Sequence, residues 1–173
     1  MPTHLSFRHP AELDEDALLA QCETNRLRRS GPGGQHRNKV ETAVQLLHQP
    51  TGIQAEANER RSQAENRGVA LFRLRLNLAL ELRVKIDASY APSPLWRSRC
   101  RQSRLEIRET HTDFPTLLAE LLDVLAAIGG DPAVAAERLA TTPSQLVKLL
   151  KKEPRALALV NVWRGDRGLH RLL

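Results

Sequence analysis

Aromatic side chains are scarce here, at 3% of 173 residues: three phenylalanines, two tryptophans and one tyrosine. With so few, Trp96 and Trp163 read as core packing rather than as platforms for stacked bases. Cysteine is scarcer still. Cys22 and Cys100 have no partner at metal-ligand spacing, which excludes a disulfide framework and a zinc site, and no cofactor is expected. Two lone thiols fit a reducing cytoplasm and read as core or incidental groups, not nucleophiles. No apolar run approaches the length of a membrane span, and no basic-then-apolar signal opens the chain. The early acids Glu12, Asp14, Glu15 and Asp16 argue against an Arg-rich presequence, so a soluble cytoplasmic protein of bacterial type is expected. Internal repeats and long low-complexity tracts are absent as well.

What the chain does have is positive charge. The net is +6, and it is uneven. Residues 60–108 carry twelve Arg and Lys against Glu65, Glu81, Asp87 and Glu106, mostly as arginine, whose planar fork suits phosphate. A polyanionic partner follows, nucleic acid first and an anionic membrane second. The sharpest feature is Arg29-Ser30-Gly31-Pro32-Gly33-Gly34-Gln35-His36-Arg37-Asn38-Lys39. Between Arg26 and Lys39 there are basic residues and no acid, around three glycines, one proline and one uncharged amide. Glycine lets backbone approach a ligand without an intervening side chain. This is a loop shaped to press its main chain against a polyanion and present Gln35 at its tip.

The coarse order of elements is legible. Residues 10–20 read as a short helix with acids in its first turns. Residues 23–29 read as a strand entering the glycine loop. Residues 43–48 and 53–57 flank Gln49-Pro50-Thr51-Gly52 as a hairpin. A long amphipathic helix is expected from Ser62 to about Asp87, with Val69, Phe72, Leu76 and Leu80 on its apolar stripe. Ser62 and Glu65 form a capping-box signature at its start. Composition shifts at Ala91-Pro92-Ser93-Pro94, a linker signal. Helices follow over 117–128, ended by Gly129-Gly130, then from an Asp131 cap to Ala140, from Thr142-Pro143 to about Lys152, and over 156–163. The 131–152 pair has the outline of a helix-turn-helix, an outline that packing units share.

Ser30-Gly-Pro-Gly-Gly-Gln-His-Arg-Asn-Lys39, Glu41-Thr-Ala-Val44, Pro50-Thr-Gly-Ile53 and Arg61-Ser-Gln63 with Asn66, in that order, resemble the peptidyl-tRNA hydrolase domain of class I peptide chain release factors. The likeness spans roughly residues 24–84. It implies an α+β fold, with a small mixed sheet, a packed long helix and the Gly-Gly-Gln loop, followed here by a helical C-terminal segment. The expected organisation is a hydrolase domain over 1–90, a basic linker over 91–109 and helices over 110–173. The resemblance is nearer to short, codon-independent rescue proteins, including the mitochondrial release-factor-like type, since 173 residues leave no room for a stop-codon-reading domain. The implied partners are the large ribosomal subunit with its peptidyl-transferase centre, P-site peptidyl-tRNA and a glutamine methyltransferase acting on Gln35; a monomer is expected.

The implied reaction is hydrolysis of the ester joining a nascent peptide to tRNA. Its catalytic residues would be Gly33, Gly34 and Gln35. The Gln35 backbone N–H would stabilise developing oxyanion charge, while its amide orients water; an amide has no useful pKa and is no general base. Gly33 and Gly34 permit the turn, and Pro32 stiffens its approach. Arg29, His36, Arg37, Asn38, Lys39 and Arg61 are the candidate RNA contacts. His36 has no triad partner in sequence and reads as a contact or spacer. Two other classes compete: a non-hydrolytic ribosome-binding factor that keeps the loop as a probe, and, more remotely, a DNA-binding regulator using the 131–152 helices.

Overall fold

The computed structural model describes residues 9–27, 43–87 and 89–173. The first unit, Pro10–Leu78, opens with a single 3-10 turn, Pro10–Glu12, followed by helix α1, Glu15–Ala20. The sequence pattern suggests one continuous helix here. Asp14 interrupts it: its backbone is extended, and its carboxylate accepts the Ala17 N–H at 2.8 Å, which restarts the helix. Strands β1 (Cys22–Leu27), β2 (Ala43–His48) and β3 (Gln54–Ala57) pair in that order, each pair antiparallel. Central strand β2 buries Val44, Leu46 and His48 at alternate positions, as the period of a strand requires.

The β2–β3 turn falls where proline and glycine predict it. Gly52 has φ +73°, a conformation glycine adopts freely, and its N–H donates to the His48 carbonyl at 2.8 Å. His48 is buried, and both ring nitrogens are engaged, with Thr51 Oγ1 at 2.7 Å and Gln21 Oε1 at 3.0 Å. Burial pushes its pKa down, so the ring is a neutral clasp on the turn.

Helix α2, Gln63–Glu81, begins beside Ser62 as expected; Glu65 N–H reaches the Ser62 hydroxyl at 3.5 Å, the outer limit of a hydrogen bond. Two expectations need correction. The most deeply buried line is Asn66, Ala70, Leu74 and Leu78, not Val69, Phe72 and Leu80, which are half-exposed; only Leu76 of the expected stripe is buried. Apolar residues surround most of this helix, so spacing alone permits several faces. Polar ties to β3 set the rotation: Asn77 Nδ2 donates to the Gln54 carbonyl at 2.9 Å and Arg73 to the Glu56 carbonyl at 2.8 Å. The helix also stops six residues short of Asp87. At its exit the Leu82 carbonyl faces the His9 ring at 3.3 Å and the Val84 N–H goes to Asp123 at 3.1 Å, so backbone groups that would continue the helix are used elsewhere.

The second unit comprises His9 and Ala79–Leu173. It contains α3 (Pro94–Arg99), the short hairpin β4 (Cys100–Arg101) and β5 (Arg104–Leu105), and helices α4 (Phe114–Ala127), α5 (Pro132–Arg138), α6 (Pro143–Lys151) and α7 (Pro154–Gly165). Proline occupies the first or second position of all five helices, where its missing N–H costs nothing. Ser93, Asp131, Thr142 and Glu153 cap four of them through side-chain oxygens. Gly129 and Gly130 both take positive φ, and Gly130 N–H returns to the Leu125 carbonyl at 2.7 Å, which closes α4.

Helix α4 is buried along Phe114–Leu125, as a helix apolar on nearly all sides must be. Trp96 is fully buried, and its indole N–H donates to the Leu139 carbonyl at 2.8 Å. Two acids of α4, Glu120 and Asp123, are also buried, and each holds the stretch after α2. Glu120 accepts from Tyr90 O–H at 2.7 Å and from Ser93 N–H at 2.8 Å and Oγ at 2.6 Å. Asp123 accepts from Val84 N–H and, at 3.3 Å, from Arg83. Tyr90 and Ser93 are therefore anchored despite the linker-like composition around them.

Candidate functional site

The glycine-rich loop is held at its stem by ordinary strand chemistry. Leu27 and Ala43 are register partners at the open end of the β1–β2 pair, followed inward by Arg26 with Val44 and Asn25 with Gln45. The chain thus leaves at 27 and returns at 43 across one strand spacing. Ala43 and Val44 are buried at the return, whereas Arg26 is exposed at the departure. The Leu27–Ala43 pairing places the two ends of the connection on neighbouring strands. Gly33, Gly34, Gln35, Arg29, His36, Arg37, Asn38 and Lys39 lie outside the described residues.

Arg61 is described, and it is exposed at the turn before α2. Its position is set by a residue to which sequence reading gave no role. Asn66, buried in α2, accepts the Arg60 N–H at 2.8 Å and donates to the Arg60 carbonyl at 3.0 Å. One amide thereby closes both main-chain polar groups of the residue next to Arg61. Asn66 carries a sequence signal, a short amide where the helix pattern wants an apolar residue, but its partner is visible only in three dimensions. Arg60 and Arg67 are also exposed, whereas Arg73 is tied to Glu59 in an ion pair and Arg75 donates to the Ala11 carbonyl at 3.0 Å. Among the described residues of this unit the exposed cations are therefore Arg26, Arg60, Arg61 and Arg67, with Arg73 held by its acid.

The candidate nucleophiles are quiet. Cys22 donates to the Leu18 carbonyl at 3.2 Å, and burial raises its pKa, which keeps the thiol protonated. Cys100 faces the Ala140 carbonyl at 3.7 Å. Trp163 is half-exposed, with the Arg83 guanidinium 5.8 Å from its ring centroid, so its packing includes a cation–π contact. Among the described residues no group of His, Cys, Asp and Glu is arranged to hold a metal ion, and no helix is long and apolar enough to cross a membrane.

The RF-1 domain model matches residues 15–112, from α1 through the loop, α2 and the β4–β5 hairpin. The chain belongs to the RF-1 domain family. It is 51% identical over 76 residues to peptide chain release factor 2 of Variovorax paradoxus (strain S110), a stretch covering 42% of this chain and 20% of that protein. Against peptide chain release factor 2 of Acidovorax sp. (strain JS42) the identity is 48% over 86 residues, 47% of this chain and 23% of the relative. Mitochondrial peptide chain release factor 1 of Bos taurus is 40% identical over 70 residues, covering 40% and 16% respectively. The matched segment thus spans about a fifth of each relative's length. The α+β class expected from sequence holds, and among the described residues every strand pair is antiparallel.

Proposed function

We propose that this protein acts in translation as a peptide-release factor, hydrolysing the ester of peptidyl-tRNA on the ribosome independently of a stop codon. The observation that carries the reading is the family match running through the Gly33-Gly34-Gln35 loop, whose ends are held by the Leu27–Ala43 strand pair. In this reading residues 1–90 are the hydrolase module, 91–109 connect it, and 110–173 are a helical segment replacing codon recognition as the means of docking. Rescue of stalled ribosomes or of split large subunits is the setting that follows.

The chemistry requires water at a shielded carbonyl and a donor for the oxygen that gains charge. The Gln35 backbone N–H is the proposed donor, a group whose loss typically costs a factor of about 100 to 1,000 in rate. The Gln35 amide orients the water and excludes bulkier nucleophiles. Gly33 and Gly34 permit the loop's close approach. Arg29, His36, Arg37, Asn38, Lys39 and Arg61 hold rRNA, so affinity falls as salt rises. Gln35 is also the proposed target of side-chain N-methylation.

The test is single-turnover release of labelled peptide from ribosomes stalled on non-stop mRNA and from large subunits carrying peptidyl-tRNA. Release by the wild type and a loss of about 100-fold or more in Gly34→Ala is expected. Ribosome binding without release by the wild type overturns the hydrolase and favours a non-hydrolytic binding factor.

A further inference from the structure

The β4–β5 hairpin breaks two local rules together. Its turn residues, Gln102 and Ser103, have φ of +48° and +61°, a left-handed pair usually given to asparagine and glycine. Its cross-strand partners are Arg101 and Arg104, like charges placed directly opposite each other. Both arginines are exposed, and neither makes an ion pair among the described residues. Unfavourable backbone and unfavourable charge at one place mark a site kept for something other than stability.

The hairpin is also held firmly. The Thr141 hydroxyl donates to the Ser103 carbonyl at 2.8 Å, and Leu105 N–H donates to Gln145 Oε1 at 3.2 Å. Both arginines line an open cleft of about 350 Å³, with Ser98, Arg99, Gln102 and Glu106. Arg99 is already neutralised by Asp113 at 2.5 Å, so the uncommitted charges are the two facing guanidinium groups and one carboxylate, Glu106.

We propose that this cleft is a second nucleic-acid contact, in which Arg101 and Arg104 take neighbouring backbone phosphates of structured RNA. Two guanidinium forks on a fixed hairpin suit phosphate oxygens, which they bind bidentately. The polar lining opposes a lipid surface: the exposed large apolar residues Val134, Val162, Leu169 and Leu173 are not among those that line the cleft. The choice of RNA among polyanions rests on the release-factor reading above; the cleft itself does not.

The experiment measures binding of the full chain to isolated large ribosomal subunits, to a free structured RNA and to phosphatidylglycerol vesicles over a salt series. R101A/R104A is expected to lose affinity for the RNA-containing targets by roughly 10- to 100-fold near 0.1 M salt, and to flatten the slope of log K against log salt by about 2. The vesicle signal should not depend on the pair. E106Q, which removes the one carboxylate of the lining, should tighten RNA binding several-fold, a gain that misfolding cannot produce. Loss on large subunits but not on free RNA assigns the site to a ribosomal RNA surface, and loss on both assigns it to RNA backbone in general. Unchanged affinity and slope in R101A/R104A, or loss confined to vesicles, overturns the proposal. Peptide release is scored separately. Release by the wild type with unchanged RNA binding in the variant rejects this site alone, whereas arginine-dependent RNA binding without wild-type release keeps the site and rejects the hydrolase.

Discussion

The two units of the chain spend their buried polar groups differently. Among the described residues of Pro10–Leu78 the buried polar residues are His48 and Asn66, and each clasps a turn: His48 the Thr51 hydroxyl, Asn66 both main-chain groups of Arg60. In Ala79–Leu173 the buried Glu120 and Asp123 anchor Arg83, Val84, Tyr90 and Ser93, in a stretch whose described residues form no helix or strand before Pro94. Their apolar cores differ as well. The first relies on alanine and leucine around a three-stranded sheet, with Ala43, Ala55, Ala57 and Ala70 buried; the second buries Trp96, Phe114 and the leucines of α4. One unit is built to hold the stem of a loop. The other is built around a single helix and supplies a rigid base for a charged hairpin.

That contrast can be broken where it is strongest. Trp96→Ala removes a fully buried indole and its bond to the Leu139 carbonyl, and should destabilise the second unit by about 3–5 kcal/mol. Chemical denaturation followed by backbone exchange should place the loss in α3–α7, leaving β1–β3 amides protected. Equal loss of protection in both units would mean that they unfold as one.

A somewhat smaller effect comes from pH. Burial, with Arg83 adding repulsion against the partial offset of the Leu82 carbonyl, lowers the His9 pKa from 6.5 to about 4. The folded state therefore binds this proton less readily than the unfolded chain. Its contribution is full above pH 6.5, is lost as pH falls through 6.5 toward 4, and amounts to about 3 kcal/mol. His9→Gln should flatten the stability profile over that window. A profile identical to wild type would reassign the acid sensitivity to other groups.

The smallest effect sharpens the comparison in the first unit. Asn66→Ala leaves the buried-side N–H and carbonyl of Arg60 without their amide partner, at a cost of about 1–3 kcal/mol. It should also weaken ribosome binding by loosening Arg61. Asn66→Asp keeps the acceptor for Arg60 N–H but sets a buried carboxylate oxygen against the Arg60 carbonyl, and should cost at least as much as Asn66→Ala. If Asn66→Ala lowers stability with no change in binding or salt dependence, Arg61 is a bystander.

Much of this was legible in one dimension because the signals are local. Pro50 and Gly52 marked the hairpin turn, Gly129-Gly130 marked the end of α4, and Asp131, Thr142 and the prolines beside them marked helix starts. Each acts through its own φ or its own nearby N–H. The family was legible in the ordered segments Ser30–Lys39, Glu41–Val44, Pro50–Ile53 and Arg61–Gln63, while the glycine-rich segment itself lies outside the described residues. The rotation of α2 was not legible, since apolar residues nearly encircle it and distant polar ties, Arg73 and Asn77 to β3 carbonyls among them, choose a face. The early end of α2 was hidden because His9 and Asp123 lie 73 and 39 positions from the groups they bind. Within the stretch 91–109, read as a basic linker, β4 and β5 were hidden because they are two residues each and show no periodicity.

By itself, then, the sequence determined the family, the positive charge and most boundaries of the described elements, since turn and cap chemistry is settled within a few residues. The tertiary structure alone decided which face of α2 is buried, that two acids of α4 hold the chain after it, and that Arg101 and Arg104 stand opposite each other. Those outcomes depend on pairing groups far apart in the chain, where desolvation forces each buried polar atom to find a partner and spacing carries no record of which one.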